Sequence, residues 1–250
     1  PVIHIEAGLR SFDNRMPEEI NRIVTDKISS ILFAPTKTAV KNLKNEGITD
    51  NVYLVGDIMY DSILKYIKIA ESNSNILKAL NINPKEYLFL TLHRASLTDN
   101  ADFLKNLIKI IGSCKNNWIF PIHPRTKKYL QNYGLWDKII SINNLKIIDP
   151  VGYLDALMLI KNAAKVITDS GGIQKEAYLL NSPCITVREN TEWVETVKAG
   201  WNILTGYDKE KIIDAIKNFA PTSRQPNIFG DGNTAKKIID ILRKNKLCEY

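Results

Sequence analysis

The chain has 250 residues, 44% hydrophobic and 24% charged, which is enough to bury a large core and too balanced for disorder or low complexity. Its net charge of +7 comes from lysines scattered over helix faces without an arginine–aromatic stripe, so no nucleic-acid partner is expected; the basic surface is a solvated one that tolerates anionic ligands. No apolar run reaches about 18 residues, so no membrane partner is expected, and Cys114, Cys184 and Cys248 offer neither a disulfide framework nor a metal-ligand spacing, which points to a reducing, cytoplasmic setting.

The opening PVIHIEAGLR has no Met and no charged leader. It reads as a strand (2–6) cut at its edge, not as a signal peptide. A helical pattern at 18–30, a strand at 31–34, a helix at 37–47 and a strand at 52–56 follow. Three strands in residues 1–56 leave a sheet edge open, so the expectation is a domain whose first strands are missing. Residues 57–85, mostly helical and Asn-rich, read as a connection between two sheets. Further strands are expected at 87–92, 118–122, 145–149, 165–169, 184–187 and 201–204. Helical patterns lie at 101–112, 153–162, 172–180, 209–219 and 231–246. Continuous apolar strands alternating with amphipathic helices predict an α/β fold with parallel sheets covered on both faces.

The strongest chemical signal is Thr168-Asp169-Ser170-Gly171-Gly172-Ile173-Gln174-Lys175-Glu176, which ends a strand and opens a helix. Gly171 and Gly172 let the backbone approach a ligand, free N–H groups at the helix start favour phosphate, and Ser170 caps that start. Glu176, one turn in, suits a pair of sugar hydroxyls. A plain capped helix after a Gly-Gly turn would use the same residues. His93 and Arg94 end strand 87–92, where ligands of open α/β sheets bind; the pair suits a diphosphate, and the imidazole could protonate a leaving oxygen. His123-Pro124-Arg125 ends the next strand in the same manner, with Pro124 also a simple helix start. Glu6 ends strand 2–6, where a buried acid needs a purpose. Glu18 and Glu19 follow Pro17 and also fit ordinary helix-start chemistry. Arg188 puts a charge at the end of strand 184–187. Trp193 and Trp201 read as packing residues, and Phe229-Gly230-Asp231-Gly232 as the loop and cap of the last helix.

Taken in order, IEAGLR, PEExNR, TxHR, TDSGGIQxEA and RxxTEW resemble the non-hydrolysing UDP-N-acetylglucosamine 2-epimerase family over nearly the whole chain. The resemblance implies two Rossmann-like domains of glycosyltransferase-B type facing across a cleft. Residues 1–56 would be the C-terminal part of the first, 57–230 the UDP-binding domain and 231–250 a helix returning to the first. It implies a UDP-sugar as substrate, a homodimer, and a reaction without metal or nicotinamide cofactor. In that reaction a base takes the C2 proton while UDP leaves C1; the glycal formed then takes UDP back with protonation on the opposite face. Carried over by position, Glu6 and Glu18 match the acids that handle the proton and His93 the histidine near the diphosphate. Ser170, Gly171 and Gly172 match the phosphate loop, Glu176 the ribose ligand, and Ala156 the backbone that holds uracil; which acid is the base stays open.

The chain departs from the family pattern in three places. The Gly-x-Arg-Pro-Glu loop and a further catalytic Asp, found about a hundred residues earlier in members, are absent. Ser96 and Leu97 stand where many members have Glu-Asn, and Trp193 stands where some have arginine. UDP-GlcNAc, for surface polysaccharide supply, and a related UDP-2,3-diacetamido uronic acid are both open as substrates. A hydrolysing relative, a glycosyltransferase of the same architecture and a UDP-binding module without turnover are the competing readings.

Overall fold

The computed structural model describes residues 1–245; Cys248 and the end of the 231–250 segment lie outside the described residues. The chain divides into two compact units, one of residues 1–66, 190–195 and 226 onward, the other of residues 67–189 and 196–225.

In the first unit β1 (Ile3–Ile5), α1 (Pro17–Ile28), β2 (Ile31–Ala34), α2 (Lys37–Asn45) and β3 (Val52–Leu54) follow in order. The strands form a parallel sheet in the order β1-β2-β3, and β2 is buried along its whole length. α3 (Ile58–Asn73) begins in this unit and ends in the other. In the second unit come α4 (Ile76–Ala79), β4 (Tyr87–Thr91), α5 (Ala95–Thr98), α6 (Ala101–Ser113), β5 (Asn117–Pro121), α7 (Pro124–Asn132), α8 (Trp136–Ile140), β6 (Leu145–Ile148), α9 (Tyr153–Asn162), β7 (Lys165–Thr168), α10 (Gly171–Leu179) and β8 (Cys184–Thr186). α11 (Val194–Lys198) crosses from one unit to the other, and β9 (Asn202–Leu204) and α12 (Lys209–Asn218) complete the second. α13 (Thr234–Lys244) belongs to the first. The six-stranded sheet has the order β6-β5-β4-β7-β8-β9, all parallel.

The two-sided burial expected of parallel strands is clearest in β4, where Tyr87, Leu88, Phe89 and Leu90 are all buried. Helix starts follow local chemistry. Asn100 accepts from the Phe103 N–H at 3.0 Å and Asp208 from that of Lys211 at 3.0 Å. α13 takes its cap from elsewhere: Asp61 of α3 accepts the Thr234 and Ala235 N–H groups at 3.1 and 2.8 Å, a carboxylate placed against the positive helix end. Its apolar face (Ile238, Ile241, Leu242) covers Ile31, Phe33 and Val55 on one side of the small sheet, and Leu43 of α2 packs with Leu32 on the other. Gly230 (φ +93°) lies so close to Gly56 that an added Cβ would stand 3.0 Å from the Gly56 Cα. Trp193 is buried edge-on against Phe229, with centroids 5.6 Å apart. Among the described residues no helix is long and apolar enough to cross a membrane.

The loop after β1 is held by a buried chain of charges. Asp26 pairs with His4 at 2.6 Å and Arg10 at 2.7 Å, and accepts the Gly8 N–H at 3.1 Å; Arg10 also grips Glu46 at 2.6 Å. Gly8 is at φ +79°, and a Cβ there would meet the Ala39 carbonyl oxygen at 2.4 Å. Burial alone would push the Asp26 carboxyl up, but hydrogen bonds from His4 and Arg10 outweigh it and hold the group below its usual value. A depressed carboxyl adds stability above its unfolded value, about 3.9, and loses it as pH falls through the folded one. Asp26→Asn is expected to cost about 3–5 kcal/mol near neutral pH, the scale of a broken buried pair. The cost should shrink below pH about 4, read from urea midpoints of both proteins across that range.

Candidate active site

In the second unit the carboxyl ends of β4, β5 and β7 meet at a cavity of about 300 Å³. Thr91 and His93 enter it from the end of β4, His123 from the start of α7, Ala156 from α9, and Ser170 and Ile173 from the start of α10. The site residues expected from sequence divide accordingly. His93, Ala156 and Ser170 line this one cavity. Gly171 and Gly172 are the first two residues of α10. Glu176 and Arg188 are buried, Arg94 is half-buried, and none of the three lines the cavity.

The loop before α10 is built from side chains that hold backbone groups. Thr168 Oγ1 accepts the Ser170 N–H at 3.0 Å and lies 2.8 Å from the Thr91 hydroxyl, joining β7 to β4. Ser170 Oγ in turn accepts the Ile173 N–H at 3.5 Å. Beneath the helix, Asn202 donates to Gln174 Oε1 and Thr196 Oγ1 and accepts from Thr186 Oγ1 at 3.2, 3.0 and 2.7 Å. Gln174 of the GGIQ sequence is therefore a supporting residue.

Asp169, which drew no role of its own in the sequence, sits at the centre of this arrangement. It is fully buried; Oδ2 accepts the N–H groups of His93 and Arg94 at 2.9 and 2.8 Å, and Oδ1 lies 3.3 Å from His93 Nδ1. His123 stands with its ring 5.5 Å from that of His93 and accepts the Arg125 N–H on Nδ1 at 3.1 Å, capping α7. Burial first, and the nearby His93 second, hold His123 below the usual histidine value. Burial pushes the Glu176 carboxyl up to about 7, against the opposing pull of Lys175.

Of the candidate acids in the first unit, Glu6 is placed differently from the sequence expectation. Glu6 is exposed, not the buried acid that its place at a strand end predicts. Its backbone instead carries the signal: φ is +75°, a left-handed conformation uncommon outside glycine. The Phe33 carbonyl accepts both the Glu6 and Ala7 N–H groups at 3.1 and 3.0 Å. Glu18 is exposed in the first turn of α1. Glu19 is buried and taken up by the Ser11 and Phe12 N–H groups at 3.0 and 2.9 Å and by Arg22 at 2.9 Å. Of the acidic pair after Pro17, Glu18 alone presents its carboxylate to solvent. Among the described residues no cluster of three or more His, Cys, Asp or Glu could hold a metal ion.

Residues 1–243 match the family model for UDP-N-acetylglucosamine 2-epimerase. The chain is 55% identical over 244 residues to a UDP-N-acetylglucosamine 2-epimerase homolog of Methanococcus maripaludis, covering 97% of this chain and 68% of that protein. It is 39% identical to the UDP-2,3-diacetamido-2,3-dideoxy-D-glucuronate 2-epimerase of Pseudomonas aeruginosa, over 98% of this chain and 68% of that one. Among solved structures, it superposes on the Methanocaldococcus jannaschii UDP-GlcNAc 2-epimerase in complex with UDP-GlcNAc and UDP with a TM-score of 0.90. That match has 49% identity and covers 97% of this chain and 68% of that chain. The chain belongs to the UDP-N-acetylglucosamine 2-epimerase family.

Proposed function

We propose that this protein interconverts UDP-GlcNAc and UDP-ManNAc, supplying a sugar for surface polysaccharide. The observation that carries the reading is the convergence of His93, Ala156 and Ser170 on one cavity at the carboxyl edge of the large sheet, in a chain of this family. That edge of an open parallel sheet is where α/β proteins bind nucleotides, and a helix start at Gly171 suits a diphosphate. In this reading the Ser170 hydroxyl and the N–H groups of Gly171 and Gly172 hold phosphate, with Arg94 and Arg188 adding positive charge. The backbone at Ala156 holds uracil, and Glu176 takes the ribose hydroxyls.

The chemistry we assign is elimination and re-addition. A carboxylate takes the C2 proton; the C–H electrons form the C1–C2 double bond as the C1–O bond breaks and its pair leaves with UDP. His93 steadies that charge with a proton or hydrogen bond on the diphosphate. The 2-acetamidoglucal then takes UDP back at C1 and a proton on the opposite face of C2. Glu6 and Glu18 are assigned to the two proton steps. The exposed carboxylates and the left-handed backbone at Glu6 support this assignment.

The uronic acid epimerase of Pseudomonas aeruginosa among the relatives favours a second reading, a 2-epimerase acting on a UDP-2,3-diacetamido uronic acid. A UDP-binding protein without turnover is the third. Buried, unpaired thiols at Cys114 and Cys184 support a cytoplasmic setting, and the family supports a homodimer, which sedimentation would check. Incubation with each nucleotide sugar in D₂O separates the catalytic readings. UDP-ManNAc carrying deuterium at C2 is expected; no epimer from UDP-GlcNAc overturns the first reading, and an epimer without deuterium overturns the mechanism.

His93→Ala and Glu6→Gln are each expected to lower turnover by about 10²-fold or more, the scale of a positioned acid–base group. Rates within about threefold of the parent would remove the residue from the site. Glu176 gives a pH test. With its carboxyl near 7, the ionised and stronger acceptor fills as pH rises from 6 to 8. UDP affinity measured by calorimetry should rise over that range by more in the parent than in Glu176→Gln.

A further inference from the structure

We propose that Asp169 is a positioning residue for His93, holding its Nδ1–H so that the second proton of the imidazolium sits on Nε2, on the far side of the ring, where it can be given to the diphosphate. The inference rests on the reading above that His93 acts at the diphosphate. It adds a role that neither the motif nor the ligand contacts expected of the family assign.

Several observations converge on Asp169. It follows β7, beside the loop that opens α10, yet its carboxylate does not cap that helix; Ser170 does, and Thr168 Oγ1 takes the Ser170 N–H. The carboxylate is turned across to the end of β4 instead. Oδ2 accepts both the His93 and Arg94 N–H groups at 2.9 and 2.8 Å, which fixes the backbone that carries the imidazole. Oδ1 is buried and accepts no hydrogen bond among the described residues, while His93 Nδ1 stands 3.3 Å from it. A buried carboxylate oxygen left without a donor is unusual. A ring N–H turned toward Oδ1 satisfies it, whereas a bare ring nitrogen would set lone pair against lone pair. Such carboxylate–histidine pairs select the tautomer and the ring orientation together.

Neither His123 nor Arg94 competes for this role. His123, 5.5 Å away, spends its Nδ1 on the Arg125 N–H. Arg94, the next residue, is a cation and offers no acceptor. Serving only as a stitch between β4 and β7 would require Oδ2 alone. The position of Oδ1 against the ring is what points beyond the stitch.

Asp169→Asn separates the two roles. The amide oxygen can stay under the two backbone N–H groups, which puts the NH₂ group against Nδ1. The ring must then accept there and carry its one proton on Nε2, which can still hydrogen-bond a phosphate but loses the acceptor that supports the doubly protonated, acidic ring. Nitrogen-15 NMR of the intact chain at pH about 8.5, where an ordinary imidazole is neutral, reads this directly. Only His4, His93 and His123 contribute, and His93→Gln assigns the signal. The parent is expected to show Nδ1–H at His93 and Asp169→Asn to show Nε2–H. UDP affinity should stay within about threefold, while turnover of UDP-GlcNAc falls by about 10²-fold or more. A parent ring protonated on Nε2 overturns the proposal, and that measurement needs no variant to fold. So does a variant that keeps Nδ1–H or turns over within about threefold of the parent. If the parent produces no epimer at all, the epimerase reading fails, and the tautomer result alone decides the role of Asp169.

Discussion

The constraint on which the rest depends is that every strand runs parallel to its neighbours. Parallel pairing requires a crossover between strands, and the helices of these crossovers cover both faces of the sheet. What remains accessible is the edge where strands end. In the large sheet that edge collects His93 after β4, His123 after β5, Ser170 after β7 and Arg188 after β8. These residues are separated by up to 95 positions in the chain, and the common strand direction brings their loops to one side.

Buried charge sets the second condition. A chain with 24% charged residues can leave most of them in water, yet the loops after β1 and β7 are each held by a fully buried carboxylate, Asp26 from α1 and Asp169 beside α10. Asp26 is matched by His4, Arg10 and a backbone N–H, so its desolvation is offset locally. Asp169 is matched by two backbone N–H groups on one oxygen only. The same residue type thus behaves as a rigid joint in one unit and as a joint with a spare acceptor in the other. Glu19 belongs with Asp26: its oxygens are occupied by the loop it closes.

Much of this was legible in the sequence because two-sided burial writes strands as uninterrupted apolar runs. All nine expected strands form, most of them one or two residues shorter than expected because their ends bend into loops. The phosphate-loop candidates were legible because capping residues and glycines act on neighbours three positions away. What was hidden depended on distance or on backbone geometry. Asp169 was spelled out in the TDSGG run, but its partners lie 75 and 76 residues earlier. In the sequence His123 reads equally well as a helix start before Pro124, because no local pattern shows that it shares a cavity with His93. The strand-end position of Glu6 predicts a buried acid, and the structure gives it an exposed side chain on a left-handed backbone. No local pattern encodes either property.

Several groups near the candidate site cost the fold stability. Around α10, burial holds Glu176 near 7 with Lys175 only partly opposing it, and among the described residues Asp169 Oδ1 faces no donor other than the ring nitrogen of His93. At Glu6 a non-glycine residue occupies left-handed space, which costs on the order of 1 kcal/mol or more. All three fall on residues that the sequence marks, Glu6 and Asp169 just after strands and Glu176 one turn into α10. Departures of this kind concentrate where a protein has to meet a ligand, because a group fully satisfied by its own chain has nothing left to offer. The supporting shell shows the converse: Gln174, Asn202, Thr186 and Thr196 bond to one another and keep α10 in place while the residues above them stay available.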